Sequence, residues 1–166
     1  MSECPHTLKT ERLILREIRE SDAGQIVEWR SNPKVYPFFK SPHALTKEEH
    51  LNWYKNSYLK DANRLDWICI ETTLGKAMGV FSLRKIAEVP ESAEVSYLIA
   101  PKEQRKGYAA EAIRTLIRYV AEEWSARIVI AEIHVNNEPS IRLVQKLGFA
   151  FMERRGLFVV YCLHLR

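Results

Sequence analysis

Pro101-Lys-Glu-Gln-Arg-Lys-Gly-Tyr-Ala-Ala-Glu111 joins two segments of different period. Before it, residues 94–100 alternate as a strand does, and Pro101 halts them. After it, Ile113, Leu116, Ile117, Val120 and Trp124 recur at helical spacing, which predicts a helix over residues 109–124 whose wide apolar face packs on a sheet. A charged loop running from a strand into a helix start suits an anion. The first amides of a helix lack internal partners, and with the positive end of the helix dipole they can hold a pyrophosphate. Gly107 and Ala109 keep side chains clear of the approaching oxygens, and Arg105 and Lys106 add charge. The same residues also suit a plain turn beside solvated lysines. The pattern is neither the dinucleotide G-x-G-x-x-G nor the P-loop.

Upstream, residues 12–16 form a short apolar run. Ser21 is placed to cap a helix running through Gln25, Ile26 and Trp29 until Pro33. Thr46 with Glu49 fits a capping box for a second helix through Leu59. Residues 65–71 and 77–84 read as an antiparallel hairpin with Gly75 in its turn. Downstream, residues 128–135 read as a largely apolar strand, and Pro139 suits the first turn of a helix whose Ile141, Val144 and Leu147 face inward. Gly148 is placed to end that helix in a left-handed cap, and residues 149–153 and 157–165 close as a hairpin around Gly156. The order is mixed α/β, mostly antiparallel, with one strand–helix–strand crossover.

A chain of 166 residues can bury one core without disulfide or metal, so residues 1–166 are expected to form one domain. A composition of 46% hydrophobic and 28% charged residues excludes disordered, collagen-like and coiled-coil classes. Cys4, Cys69 and Cys162 are odd in number and widely spaced, so neither a disulfide framework nor a metal site is expected. The opening residues lack the apolar run of a secretory leader, and no segment approaches the roughly 18 apolar residues of a membrane span. A cytoplasmic chain with no membrane partner is the expectation. The net charge of +4 is spread along the sequence, so a small polyanionic cofactor is expected in preference to nucleic acid.

Gln104-x-x-Gly107-x-Ala109 resembles the Q/R-x-x-G-x-G/A segment of the GNAT superfamily of acyl-CoA-dependent N-acyltransferases. Asn137-Glu-Pro-Ser140-Ile-Arg-Leu-Val-Gln-Lys146-Leu-Gly148-Phe149 resembles that family's second segment, and the element order fits over nearly the whole chain. The resemblance implies an α/β (α+β) domain, with a mixed, mostly antiparallel sheet of about six to seven strands, a central V-shaped split and about four flanking helices. It implies acetyl-CoA in the split between residues 94–100 and 128–135. The pantetheine arm would pair with backbone near Leu98, Ile99 and Ala100, and the pyrophosphate would rest on Arg105, Lys106, Gly107, Tyr108, Ala109 and Ala110. Gln104 is a cofactor-binding candidate with them, and Asn137 would touch the arm.

Within the family, TERLILRE and SIRLVQKLGF look like the ribosomal-protein N-terminal acetyltransferase branch. Glu28-Trp29-Arg30-Ser-Asn32-Pro33 with Glu49-His50-Leu-Asn-Trp53-Tyr54 is similar to enzymes that acetylate the 4-amino group of a nucleotide-linked sugar in the pseudaminic acid pathway. Those two helices wall the acceptor site in family members. Trp29, Arg30, His50 and Trp53 are therefore the substrate-binding candidates, with Arg30 and His50 able to contact phosphate or hydroxyl groups. The implied acceptor is a small-molecule or peptide amine, and the implied state is a monomer or homodimer.

Acetyl transfer needs a neutral amine, a stabilised oxyanion and a proton for the departing thiolate. A strand N–H near Leu98 or Ile99 would hold the oxyanion. Glu94 is the first candidate base, the alternative being a surface carboxylate paired with a cation. Glu132 and His134 share a face with Ile130 and could also relay a proton, His134 being the better suited to a structural hydrogen bond. Val144 stands where many members carry the tyrosine that protonates the thiolate. Ser140, one turn earlier, is the catalytic candidate left on that helix, unless it only supports the turn near Asn137. Cys69 and Cys162 fall within strands and read as packing residues. A non-catalytic acyl-CoA-binding module is the rival reading.

Overall fold

In the computed structural model, which describes residues 6–166, the alternating segments become one eight-stranded sheet. The strands are β1 (Leu8–Lys9), β2 (Leu13–Glu17), β3 (Arg64–Glu71), β4 (Lys76–Lys85), β5 (Ser92–Ile99), β6 (Ile128–His134), β7 (Ala150–Arg155) and β8 (Phe158–His164). Their order is β1-β2-β3-β4-β5-β6-β8-β7. The eighth strand, beyond the six or seven expected, is β1, whose two residues pair with Ile14 and Leu15 and are too few to show a period. Four helices flank the sheet: α1 (Ala23–Arg30), α2 (Lys47–Asn56), α3 (Tyr108–Glu123) and α4 (Glu138–Lys146). Cys4 lies outside the described residues.

The start of α1 departs from expectation. Ser21 lies in a 3-10 turn over Glu20–Asp22 and caps nothing. Asp22 precedes the helix instead, and its carboxylate accepts two bonds from Arg16, both 2.8 Å, and one from the Arg19 N–H at 2.7 Å. Burial pushes the Asp22 carboxyl up, but the Arg16 and Arg19 bonds outweigh it and leave the group below its ordinary value. A depressed folded pKa stabilises the fold above the unfolded value of about 3.9, and that contribution fades as pH falls through the folded value. Asp22→Asn is therefore expected to cost about 2 kcal/mol at pH 7 and to flatten the acid decline below about pH 4. Urea titrations between pH 3 and 7 check both.

Thr46 caps α2 as expected: its Oγ1 accepts the Glu49 N–H at 3.1 Å, and the Glu49 carboxylate accepts the Thr46 N–H at 2.8 Å. The helix ends at Asn56, and a 3-10 turn over Tyr58–Lys60 replaces the predicted continuation to Leu59.

Each face of the sheet buries its own cluster. Helices α3 and α4 cover Trp67, Phe81, Val95 and Val129, with Val144 of α4 buried among them, while α1 lies over Ile68, Val80 and Leu98. Side chains alternate along each strand, so Glu94, Ser96 and Leu98 point to the α1/α2 side, as do Ile130, Glu132 and His134.

The feature that organises the site is the junction of β5 and β6, the one parallel pair, made by the α3 crossover. They pair only at Ser92↔Ile128, Ala93↔Val129 and Glu94↔Ile130. Beyond that rung β6 follows β8 to His134↔Phe158, and β5 follows β4 to Gly79↔Ile99. Gly79 permits this, because a Cβ there would lie 2.2 Å from the Leu98 carbonyl oxygen. The expected V-shaped split results, with the β5 edge from Val95 onward unpaired on the β6 side.

Candidate active site

Past the end of β5, the Ala100 N–H donates to the Met78 carbonyl at 2.8 Å, and a 3-10 turn over Pro101–Glu103 leads into the loop before α3. Arg105 and Gly107 both adopt left-handed backbone, at φ 66 and φ 81. A non-glycine residue there costs roughly 1 kcal/mol or more, so the loop stores strain at Arg105. Buried Glu103 accepts bonds from Lys106, at 2.8 Å, and Lys76, and the two ammonium groups hold its carboxyl below the ordinary range. From β2's side, Arg12 Nη1 donates to the Lys106 carbonyl at 3.0 Å, Nε donates to Glu111 at 3.3 Å, and the guanidinium lies over the Tyr108 ring.

This framework leaves the amides of Tyr108, Ala109 and Ala110 at the head of α3, without intrahelical partners. A Cβ on Gly107 would lie 3.3 Å from Arg12 Nη2, so a glycine keeps the cradle open. The arrangement fits a diphosphate. Two expected contacts have internal partners: Gln104 Nε2 donates to the Ile99 carbonyl at 3.2 Å, and Lys106 binds Glu103. Arg12 was not among the sequence candidates, since nothing local links it to a loop so distant in the chain.

Ser140 and Tyr97 meet on the α3/α4 side of the split, with hydroxyls 2.7 Å apart. Tyr97 stacks on Phe81, and burial pushes its hydroxyl up to about 12. Val144 is wholly buried in the core, and Asn137 precedes α4 with no capping bond from its side chain. Leu98 and Ile99 are buried on opposite faces of β5.

On the α1/α2 side, Glu94 occupies the last paired rung, its Oε1 3.5 Å from Arg84 Nη2. Glu132 lies two residues further along β6, within the open part of the split, and accepts a bond from Lys40 at 3.0 Å. His134 makes a structural bond, its Nδ1 accepting the Asn136 N–H at 3.1 Å.

Lys40 belongs to the loop of residues 31–45, closed at its base where Ser31 Oγ donates to the Leu45 carbonyl at 2.8 Å. Three consecutive residues of this loop bridge the α1/α2 side to β6: Phe38 meets the His134 ring, Phe39 lies under the Arg30 guanidinium, and Lys40 holds Glu132. Of the substrate-binding candidates, Trp29 is 6% exposed and belongs to the core. Trp53 packs between His50 and Tyr58 with Arg64 over its ring. Arg30 stacks on Phe39 of this loop, and its charge is among those acting on His50.

Burial pushes the Cys69 thiol up to about 12, which suits a packing residue and not a nucleophile. Among the described residues no group of three or more His, Cys, Asp or Glu is placed to hold a metal ion, and no helix is long and apolar enough to cross a membrane.

The acetyltransferase (GNAT) domain profile matches residues 12–150. The chain belongs to the GNAT acetyltransferase family. It is 30% identical over 161 residues to the uncharacterized N-acetyltransferase p20 of Bacillus licheniformis, covering 93% of this chain and 86% of that one. The crystal structure of a domain from Methanocaldococcus jannaschii superposes on this GNAT fold with TM-score 0.81 and 25% identity, over 93% of this chain and 99% of that one. The ribosomal L7/L12 alpha-N-protein acetyltransferase RimL, solved in complex with coenzyme A, shares the fold at TM-score 0.81 and 16% identity, over 96% of this chain and 98% of that one. The chain is thus an N-acetyltransferase, and acetyl-CoA is the cofactor of its GNAT family.

Proposed function

We propose that this acetyltransferase moves an acetyl group to a primary amine by direct attack in a ternary complex, the acceptor being a nucleotide-linked amino sugar or a protein N-terminal amine. The observation that carries this reading is the split: a diphosphate cradle at Gly107 leads to a cleft with Ser140 on one face and Glu94 and Glu132 on the other. Acetyl-CoA supplies the activated thioester when bound. The Ile99 N–H, which the β4 register turns toward the open β5 edge, holds the charge that gathers on the acetyl oxygen. An α-amino group, with pKa about 7.7 to 8.0, is partly neutral at pH 7.5, so a weak base suffices. Glu94 takes the amine proton, with Glu132 as the second candidate because it lies deeper in the open split. Ser140, held by Tyr97, holds a water that protonates the departing sulfur, or donates to the sulfur and regains a proton from water, in place of the tyrosine whose position Val144 takes.

The acceptor assignment rests on two resemblances: the TERLILRE and SIRLVQKLGF segments to the ribosomal-protein branch, and the α1 and α2 segments to the amino-sugar enzymes. Glu94→Gln is expected to lower kcat/KM about 100-fold, most strongly at low pH, with the coenzyme A Kd unchanged. Thiol release measured across pH with a panel of amines checks it. An unchanged profile in Glu94→Gln beside a loss in Glu132→Gln moves the base to Glu132.

A further inference from the structure

The α1/α2 side of the cleft holds an electrostatic arrangement that the protein does not complete. Arg30 sits at the end of α1 on the Phe39 ring, with 3.8 Å from guanidinium to ring centroid. Its Nη1 is buried and has no hydrogen-bond partner among the described residues, and no carboxylate pairs with it there. His50, 4% exposed on α2, likewise has a buried Nε2 without a partner. The carboxylates nearest to His50 in influence are already occupied. Asp22 is held by Arg16 at 2.8 Å through both oxygens, and Asp66 by Arg64 at 2.8 and 3.1 Å. Both carboxylates that act on His50 are thus held by other guanidinium groups, and among the described residues no ion pair holds Arg30.

Arg30 as a whole is half-buried, but its Nη1 is cut off from solvent, and a buried donor without an acceptor is costly unless something else supplies one. Its position says where that group enters. Phe39, which carries Arg30, lies between Phe38 on His134 and Lys40 on Glu132, so the guanidinium sits within a few residues' reach of the open split. This is the side of the sheet opposite α3 and α4. The diphosphate of the cofactor is already provided for at the head of α3. An anion on Arg30 therefore belongs to the acceptor.

We infer that Arg30 and His50 form the anion-binding pole of the acceptor pocket, and that the amine acetylated here carries a phosphate or a carboxylate that pairs with the Arg30 guanidinium. The inference rests on the acetyl-transfer reading above.

The test compares acceptors that differ only in the anion: glucosamine 6-phosphate against glucosamine for a phosphate, and Asp-Ala against Ala-Ala for a carboxylate. Wild-type enzyme is expected to prefer one charged member by about 30-fold in kcat/KM, and the pair showing it names the source of the anion. Arg30→Met should bring that ratio within about threefold of unity with little change in melting temperature, because no hydrogen-bonded partner is lost and the methionine can keep an apolar contact with Phe39. His50→Gln should reduce the ratio by about fivefold and stands in should the first variant fail to fold. In a second arm, inorganic pyrophosphate is added to enzyme saturated with coenzyme A, which blocks the α3 cradle. It should raise the melting temperature of wild type and not of Arg30→Met, and this arm decides if none of the four amines is acetylated. Equal rates within both pairs, or a pyrophosphate shift that survives Arg30→Met, would overturn the inference while leaving acetyl transfer standing. Absence of any heat of binding with coenzyme A would instead remove the reading beneath it.

Discussion

Gly79→Val is expected to destabilise the fold by about 3 kcal/mol or more and to abolish cofactor binding in whatever fraction still folds. The added Cβ would lie 2.2 Å from the Leu98 carbonyl oxygen and 3.1 Å from the Ile99 Cα. Both obstacles are backbone, so no rotamer relieves the clash. The only escape is for the end of β5 to move off β4, toward the split. With about 2 to 4 °C of melting temperature per kcal/mol at this size, the midpoint should fall roughly 10 °C. Gly79→Ala carries the same Cβ and should show most of the effect. Thermal unfolding followed by circular dichroism measures it, and a midpoint within about a degree of wild type would show that the close approach of the two strands does not require glycine.

At Gly107 the order of effects reverses. Valine at φ 81 is a β-branched residue in left-handed backbone, and its Cβ would press on Arg12 Nη2 from 3.3 Å. The strain falls on a surface loop and on the amides that open α3, so stability should drop by only about 1 to 2 kcal/mol. Affinity for coenzyme A should suffer more, with Kd rising about 100-fold, or roughly 2.7 kcal/mol. Calorimetric titration with coenzyme A is the direct measurement; an unaltered Kd would take the diphosphate away from this loop.

These two glycines also mark what could be read from the chain alone. Gly107 was legible because its surroundings are contiguous: a strand that stops at Pro101, a charged loop, then the period of α3. Thr46 and Glu49 were legible for the same reason, since a capping box spans one turn. Gly79 gave no signal, because its role is an approach between two strands whose register only the folded sheet sets. Arg12, clamping a loop across the sheet edge, and Tyr97, holding Ser140, are contacts between residues far apart in sequence. Ser21 failed as a cap because the neighbouring Asp22 found a stronger partner in Arg16, which local pattern does not weigh. Glu132 shares a face with Ile130 and His134 as alternation predicts, Glu94 lies on the same side of the sheet, and what separates the two is the single rung at which the strands part.

That parting has a consequence for the protein as a whole. Strands β1 to β5 and strands β6 to β8 are bound edge to edge by three rungs, like two leaves of a book held by a short spine at Ser92–Glu94. A ligand arm seated in the split would do the work of a missing strand. At a ligand concentration a hundred times Kd, such occupancy adds about 2.7 kcal/mol to folding stability. A thermal midpoint that rises with coenzyme A concentration is the expected outcome, read by melting the protein across a ligand series.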